Sequence, residues 1–180
     1  DSYQVKEAVI HAFIVSDESG LLIEFLKSEQ NPRLQVEIIH ALGSMDATQE
    51  VAALYDSFDD ADLRKAVLES MMISADIDGL IKVLQAESDA ELRAEAMQML
   101  AVSGDEAGAE YLVGLYPDGS HEEKLAVIQS MMIMENSRGL ISLLKTETDP
   151  ELKREMLQML VIMDSEESDQ YLFELLENKG

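Results

Sequence analysis

The sequence predicts an all-α repeat protein built as a stack of about six helical hairpins. Residues 120–179 restate residues 60–119 at an offset of about sixty: Ser70-Met71-Met72-Ile73 returns as Ser130-Met131-Met132-Ile133, and Gly79-Leu80-Ile81 as Gly139-Leu140-Ile141. Leu92, Glu95 and Gln98-Met99-Leu100 likewise return as Leu152, Glu155 and Gln158-Met159-Leu160. Each unit of about sixty residues divides again into two hairpins of about thirty, each a longer apolar-periodic helix, a turn and a shorter helix. The third observation is a recurring helix-start signature, an acceptor side chain followed by acid, ahead of the longer helices.

From the N-terminus, Val5, Ala8, Val9, Ala12 and Phe13 fall at helical spacing over about 2–15. Asp17 to Gly20 breaks that pattern before a shorter helix with Leu22, Ile23 and Leu26. Asn31-Pro32 opens the second hairpin, a cap followed by proline where its missing N–H costs nothing, and its longer helix is expected to run to about Gly43. Asp60, Asp89, Ser120 with Glu123, and Asp149 with Pro150 open the later ones, Ser120 and Glu123 forming a capping box. Asp46, Asp76, Asn136 and Asp164 are expected to start the shorter helices. The hairpins are thus placed at about 2–29, 30–59, 60–88, 89–119, 120–148 and 149–180 of one repeat domain, 1–180.

Composition limits the function classes. The chain has 180 residues, 47% of them hydrophobic, enough for a substantial core, and no apolar run long enough to insert in a membrane. Its 37 Asp and Glu against 13 Lys and Arg give a formal charge of -24, which repels nucleic acid and anionic membrane and favours basic partners. Without cysteine there is no disulfide, thiolate nucleophile or cysteine metal site. The eleven methionines sit mainly in the apolar helices, where core packing is the expected role. The chain begins at Asp1 rather than Met, which leaves room for a removed upstream segment, so both a cytoplasmic and an exported protein fit.

Leu63-Arg64, Leu92-Arg93 and Leu152-Lys153, each followed by small or apolar residues, resemble the elements of HEAT-like repeats in their short form of about thirty residues. The run from Asp89 to Tyr116 resembles the whole pattern, helix, Gly104-Asp105 turn and second helix. Gln35 in place of a basic residue, and Glu123-Lys124 in place of an apolar-basic pair, depart from it, and the helix-ending glycine is kept only at Gly43 and Gly104.

The resemblance implies a right-handed α-α superhelix whose arginine-bearing helices line a concave face. On that face the equivalent positions are His11, His40, Glu69, Gln98, Gln129 and Gln158, flanked by Glu7, Glu37, Glu95 and Glu155. This polar, mostly acidic track is the expected contact for another protein's basic segment, with no cofactor implied. The alternative from the same resemblance is an enzyme or enzyme subunit of the lyase or metal-hydroxylase kind. His11, His40 and Glu69 imitate a two-His, one-carboxylate site, but rungs on helices about 8–10 Å apart do not converge to metal-ligand distances of about 2 Å. The only His-Glu pair, His121-Glu122, stands at a helix start. Tyr171, Leu172, Phe173, Leu175 and Leu176 make the last helix more apolar than a capping repeat needs, so self-association or continuation of the array is expected there.

Overall fold

The computed structural model describes residues 2–45 and 47–177, and among them all regular structure is helical. The elements are α1 Tyr3–Val15, α2 Ser19–Ser28, α3 Pro32–Ser44, α4 Thr48–Leu54, α5 Ala61–Ile73, α6 Ile77–Ala86, α7 Ala90–Ser103, α8 Glu106–Leu115, α9 His121–Ile133, α10 Ser137–Thr146, α11 Pro150–Met163 and α12 Glu166–Glu177. Short 3-10 turns, Tyr55–Ser57 and Tyr116–Asp118, continue α4 and α8. Helix starts and ends keep the internal register: Tyr3, Ala61 and His121 open equivalent helices, and Val15, Ile73 and Ile133 close them.

Side-chain caps explain the starts. Asn31 accepts from the Arg33 N–H, Asp60 from Asp62 and Leu63, Asp89 from Glu91 and Leu92, and Asp149 from Glu151 and Leu152. Ser120 and Glu123 form the complete capping box. Asp76 and Asn136 accept from the N–H of Gly79 and Gly139 and so open α6 and α10. These bonds occupy orphan donors that would otherwise end each helix in water.

The turn inside a hairpin passes through the left-handed region: Asp17, Ala75, Gly104, Glu135 and Asp164 have φ of 58°, 55°, 66°, 51° and 47°. Only Gly104 takes this conformation without a Cβ penalty, which for the others is roughly 1–2 kcal/mol each. Asp164 is therefore not the cap that its sequence position suggests. It ends α11 in the left-handed turn equivalent to Gly104, and the Ser165 hydroxyl accepts from the Ser168 N–H to start α12. Asp46, expected in the same role, lies outside the described residues.

Gly43 is a second correction, because it is a buried residue inside α3 rather than a helix-ending glycine. A Cβ there would stand 2.3 Å from the Ser70 Oγ and 2.7 Å from its carbonyl oxygen. Ser70 is itself buried and donates to the Ile39 carbonyl at 2.8 Å. Small residues on both helices let α3 and α5 approach at backbone distance.

The chain forms two compact units, 1–99 and 100–180, the division falling within α7. In the first, α3 packs on α1 and α5 as well as on its partner α4, over a core that includes Ile10, Leu22, Leu34, Ile38, Ile39, Leu42 and Leu68. In the second, α9 packs on α11 and α10 lies against α8 and α12, around Leu112, Val127, Ile128, Leu140 and Leu160. Met71, Met97, Met99, Met131, Met156 and Met159 are buried in these cores, as packing residues.

Gly43→Val should destabilise the protein by about 1–3 kcal/mol, because the branch meets the Ser70 backbone, which cannot swing away. Urea melts of the variant, with Ser44→Val at the exposed neighbouring position as control, check this; equal midpoints would mean that α3 and α5 do not approach so closely.

Candidate functional site

The leading helix of each hairpin, α1, α3, α5, α7, α9 and α11, carries the expected binding residues. In the first unit His11 and Gln98 are exposed, while Glu7, Glu37, His40, Glu69 and Glu95 are partly exposed. Much of this row is tied from helix to helix. The Tyr3 hydroxyl on α1 donates to Glu37 on α3 at 3.4 Å, His40 on α3 bonds Glu69 on α5 at 2.9 Å, and Lys65 on α5 is ion-paired with Glu95 on α7. The Glu95 bond, with its charge, raises the pKa of Lys65. In the second unit Gln129 on α9 and Gln158 on α11 are exposed and Glu155 is partly so. Among the described residues neither Glu7 nor Glu155 is ion-paired, and no three His, Asp or Glu side chains are grouped to hold a metal ion.

The most strongly built polar constellation lies elsewhere, at Glu29, Glu87 and Glu147. These occupy one register position, just after α2, α6 and α10, and their side chains are only 3%, 5% and 4% exposed. One carboxylate oxygen of each accepts the next two backbone N–H groups: Gln30 and Asn31, Ser88 and Asp89, Thr148 and Asp149, all within 2.6–2.9 Å. The other oxygen takes a cation from the leading helix of the same hairpin, Lys6 at 2.7 Å, Arg64 at 3.1 Å or Lys124 at 3.4 Å. At Glu87 and Glu147 it also accepts a phenol from the end of the preceding hairpin, Tyr55 at 2.6 Å and Tyr116 at 2.5 Å. Each of these two cations lies over the ring of its tyrosine, 5.3 Å and 5.0 Å from the centroid.

Physical causes agree with this geometry. Glu29 is held below the usual carboxylate range by its Lys6 bond, which with the two N–H groups outweighs burial. Burial works against charge at Glu147, yet the Asp149 N–H, the Tyr116 hydroxyl, the Thr148 N–H and Lys124 together bring it down to about 2. Burial also opposes the charge of Glu87, and the equivalent donors again win. Burial first, then the bonded glutamate, pushes the Tyr55 and Tyr116 phenols well above their ordinary value. Gln35 completes the pattern at the first clasp: its amide donates to the Glu29 carbonyl as Arg93 does to that of Glu87. The apparent departure at Gln35 thus keeps the contact without the charge, and Lys124 keeps the place of Arg64.

The sequence reading assigns no role to Glu29, Glu87 or Glu147. The usable signal was the joint recurrence of Lys6, Arg64 and Lys124 with Glu29, Glu87 and Glu147. A cleft of about 690 Å³ opens beside the second clasp, between α4 and α6, lined among others by Asp56, Arg64, Asp76, Lys82 and Glu87. Arg64 and Glu87 there are committed to each other, and Asp76 to its cap. No family model matches the sequence, and no curated protein matches it.

The clasp makes stability pH-dependent with a definite sign. An unfolded glutamate titrates near about 4.3, so below that the unfolded chain binds a proton that folded Glu147, at about 2, does not. Stability from this group is complete above that range and is lost as pH falls toward about 2. Glu147→Gln should cost about 1–3 kcal/mol at neutral pH, with the gap to wild type closing on acidification. Denaturation midpoints across pH check this; a gap independent of pH would deny the clasp its charge.

Proposed function

We propose that this protein is a non-enzymatic protein–protein interaction scaffold, an array of HEAT-like hairpins in a right-handed solenoid. The solvent-facing row of its leading helices receives a basic segment of another protein. One observation carries the reading: equivalent helices present the same polar side chains to solvent, Glu95 and Gln98 on α7 and Glu155 and Gln158 on α11. The chain around them is formally -24. A surface repeated from hairpin to hairpin gives a partner segment recurring contacts, and the surrounding negative field raises its association rate. The packing of α9 on α11 and of α8, α10 and α12 in succession supports repeat stacking.

The helix-to-helix ties refine the binding residues. Glu37, Glu69 and Glu95 spend part of their charge on Tyr3, His40 and Lys65, so Glu7 and Glu155 carry more of the attraction to a cationic partner. Phe173 and Leu176, exposed on α12, form a second contact, for self-association. The two contacts respond oppositely to salt. Screening weakens attraction of a basic segment but relieves repulsion between two copies of an acidic chain.

The test is a double variant, Glu7→Lys with Glu155→Lys, titrated with a fluorescent lysine-rich peptide. Its affinity at low salt should fall by about tenfold or more. The wild-type interaction should itself fade between about 0.01 M and 0.15 M salt, as the screening length drops from about 30 Å to 8 Å. Melting temperature should change little, since neither glutamate is ion-paired. Undiminished binding by the double variant would contradict the acidic-face mechanism.

A further inference from the structure

The last turn of five leading helices carries an exposed apolar residue in the same register: Val15, Ile73, Val102, Ile133 and Ile162. Single exposed apolar side chains need no explanation, but repetition at one register position is not scatter. On the packed pair α9 and α11 the feature is doubled, with Met132 and Ile133 37% and 45% exposed and Val161 and Ile162 64% and 70% exposed.

The surroundings are acidic on both sides. One turn back stand Gln129 and Gln158, both exposed. Toward the helix starts come Glu122 on α9 and Glu151 and Glu155 on α11, with Arg154 as the exposed basic exception. Beyond the helix ends lie Glu135 and Asp164, both exposed in the left-handed turns. An occupant of this surface must bury four apolar side chains and present positive charge to both edges.

We propose that the C-terminal ends of α9 and α11 dock the apolar face of a basic amphipathic helix from a partner protein, which rests on the scaffold reading above and specifies its partner. Packed helix axes are about 8–10 Å apart. A partner helix lying across them rises about 10.5 Å over seven residues, so its i and i+7 side chains meet the two apolar ends while flanking lysines or arginines reach the carboxylates. A second copy of this chain is a poorer occupant, because it brings the same -24 charge and the same acidic turns.

The probes are two lysine–leucine peptides of identical composition and about eighteen residues, one with leucines at i, i+3, i+4 and i+7, the other with leucines spread around the helix. Binding to the full chain is followed by fluorescence anisotropy near about 0.15 M salt. The amphipathic peptide should bind about tenfold tighter and shift the methyl resonance of Met132. Ile133→Ser with Ile162→Ser should abolish that advantage while leaving the weak, salt-sensitive binding of the other peptide and the melting temperature intact. Equal binding of both peptides, or an advantage that survives the double variant, would overturn the proposal. If both bind equally and with salt dependence, the acidic-face reading survives alone; if neither binds, both fail. A dimer seen by sedimentation and dissolved by Ile133→Ser with Ile162→Ser would assign the surface to a second copy and likewise overturn it.

Discussion

A carboxylate taken out of water must be repaid by donors, and in this chain those donors come from different segments. Desolvation of an ion costs several kcal/mol in real proteins, so a buried glutamate persists only where its lone pairs are filled. Glu147 draws on the end of one hairpin through Tyr116, on the next through Lys124, and on the start of α11 through the N–H groups of Thr148 and Asp149. Glu87 does the same with Tyr55, Arg64, Ser88 and Asp89. One side chain thereby sets where the preceding hairpin ends, how the current one sits and where the next begins. Apolar packing of Leu140 or Val127 is strong but tolerant of sliding; a bonded carboxylate is not.

The acidic composition then divides into parts with different physical roles. Asp60, Asp76, Asp89, Asp105 and Asp149 cap helices, three glutamates hold the clasps, and Glu69 and Glu95 link leading helices. The charge left outside these roles is smaller than the formal charge suggests, though its field is still negative. The solvent face of the leading helices also changes along their length, from charge through Gln129 and Gln158 to the apolar ends at Ile133 and Ile162. Under the proposed function, a surface graded in this way would select a partner by pattern as well as by charge.

Helix positions were legible because their signals are local: caps at Asn31, Asp60 and Ser120 act within three residues, and the apolar period needs no knowledge of neighbours. Asp164 was misread because Asp serves both as a helix cap and in the left-handed turn, and the two differ by one place along the chain. Gly43 was misread because its reason is the Ser70 backbone on another helix, which local sequence does not show. The clasps join residues 23 to 32 apart, and only their joint recurrence betrays them. For the candidate site, the row of positions rests on the internal alignment and on what the family resemblance implies, whereas the ties of Glu37, Glu69 and Glu95 to Tyr3, His40 and Lys65 needed the packed helices.

The central claim is that Glu147 joins successive hairpins as one bonded unit, and a double-mutant cycle in urea between Tyr116→Phe and Glu147→Gln tests it most directly. A shared interaction predicts that the two losses fail to add, with a coupling energy of about 0.5–3 kcal/mol. Losses that add to within about 0.3 kcal/mol would contradict the account, because they would leave the phenol and the carboxylate as independent neighbours.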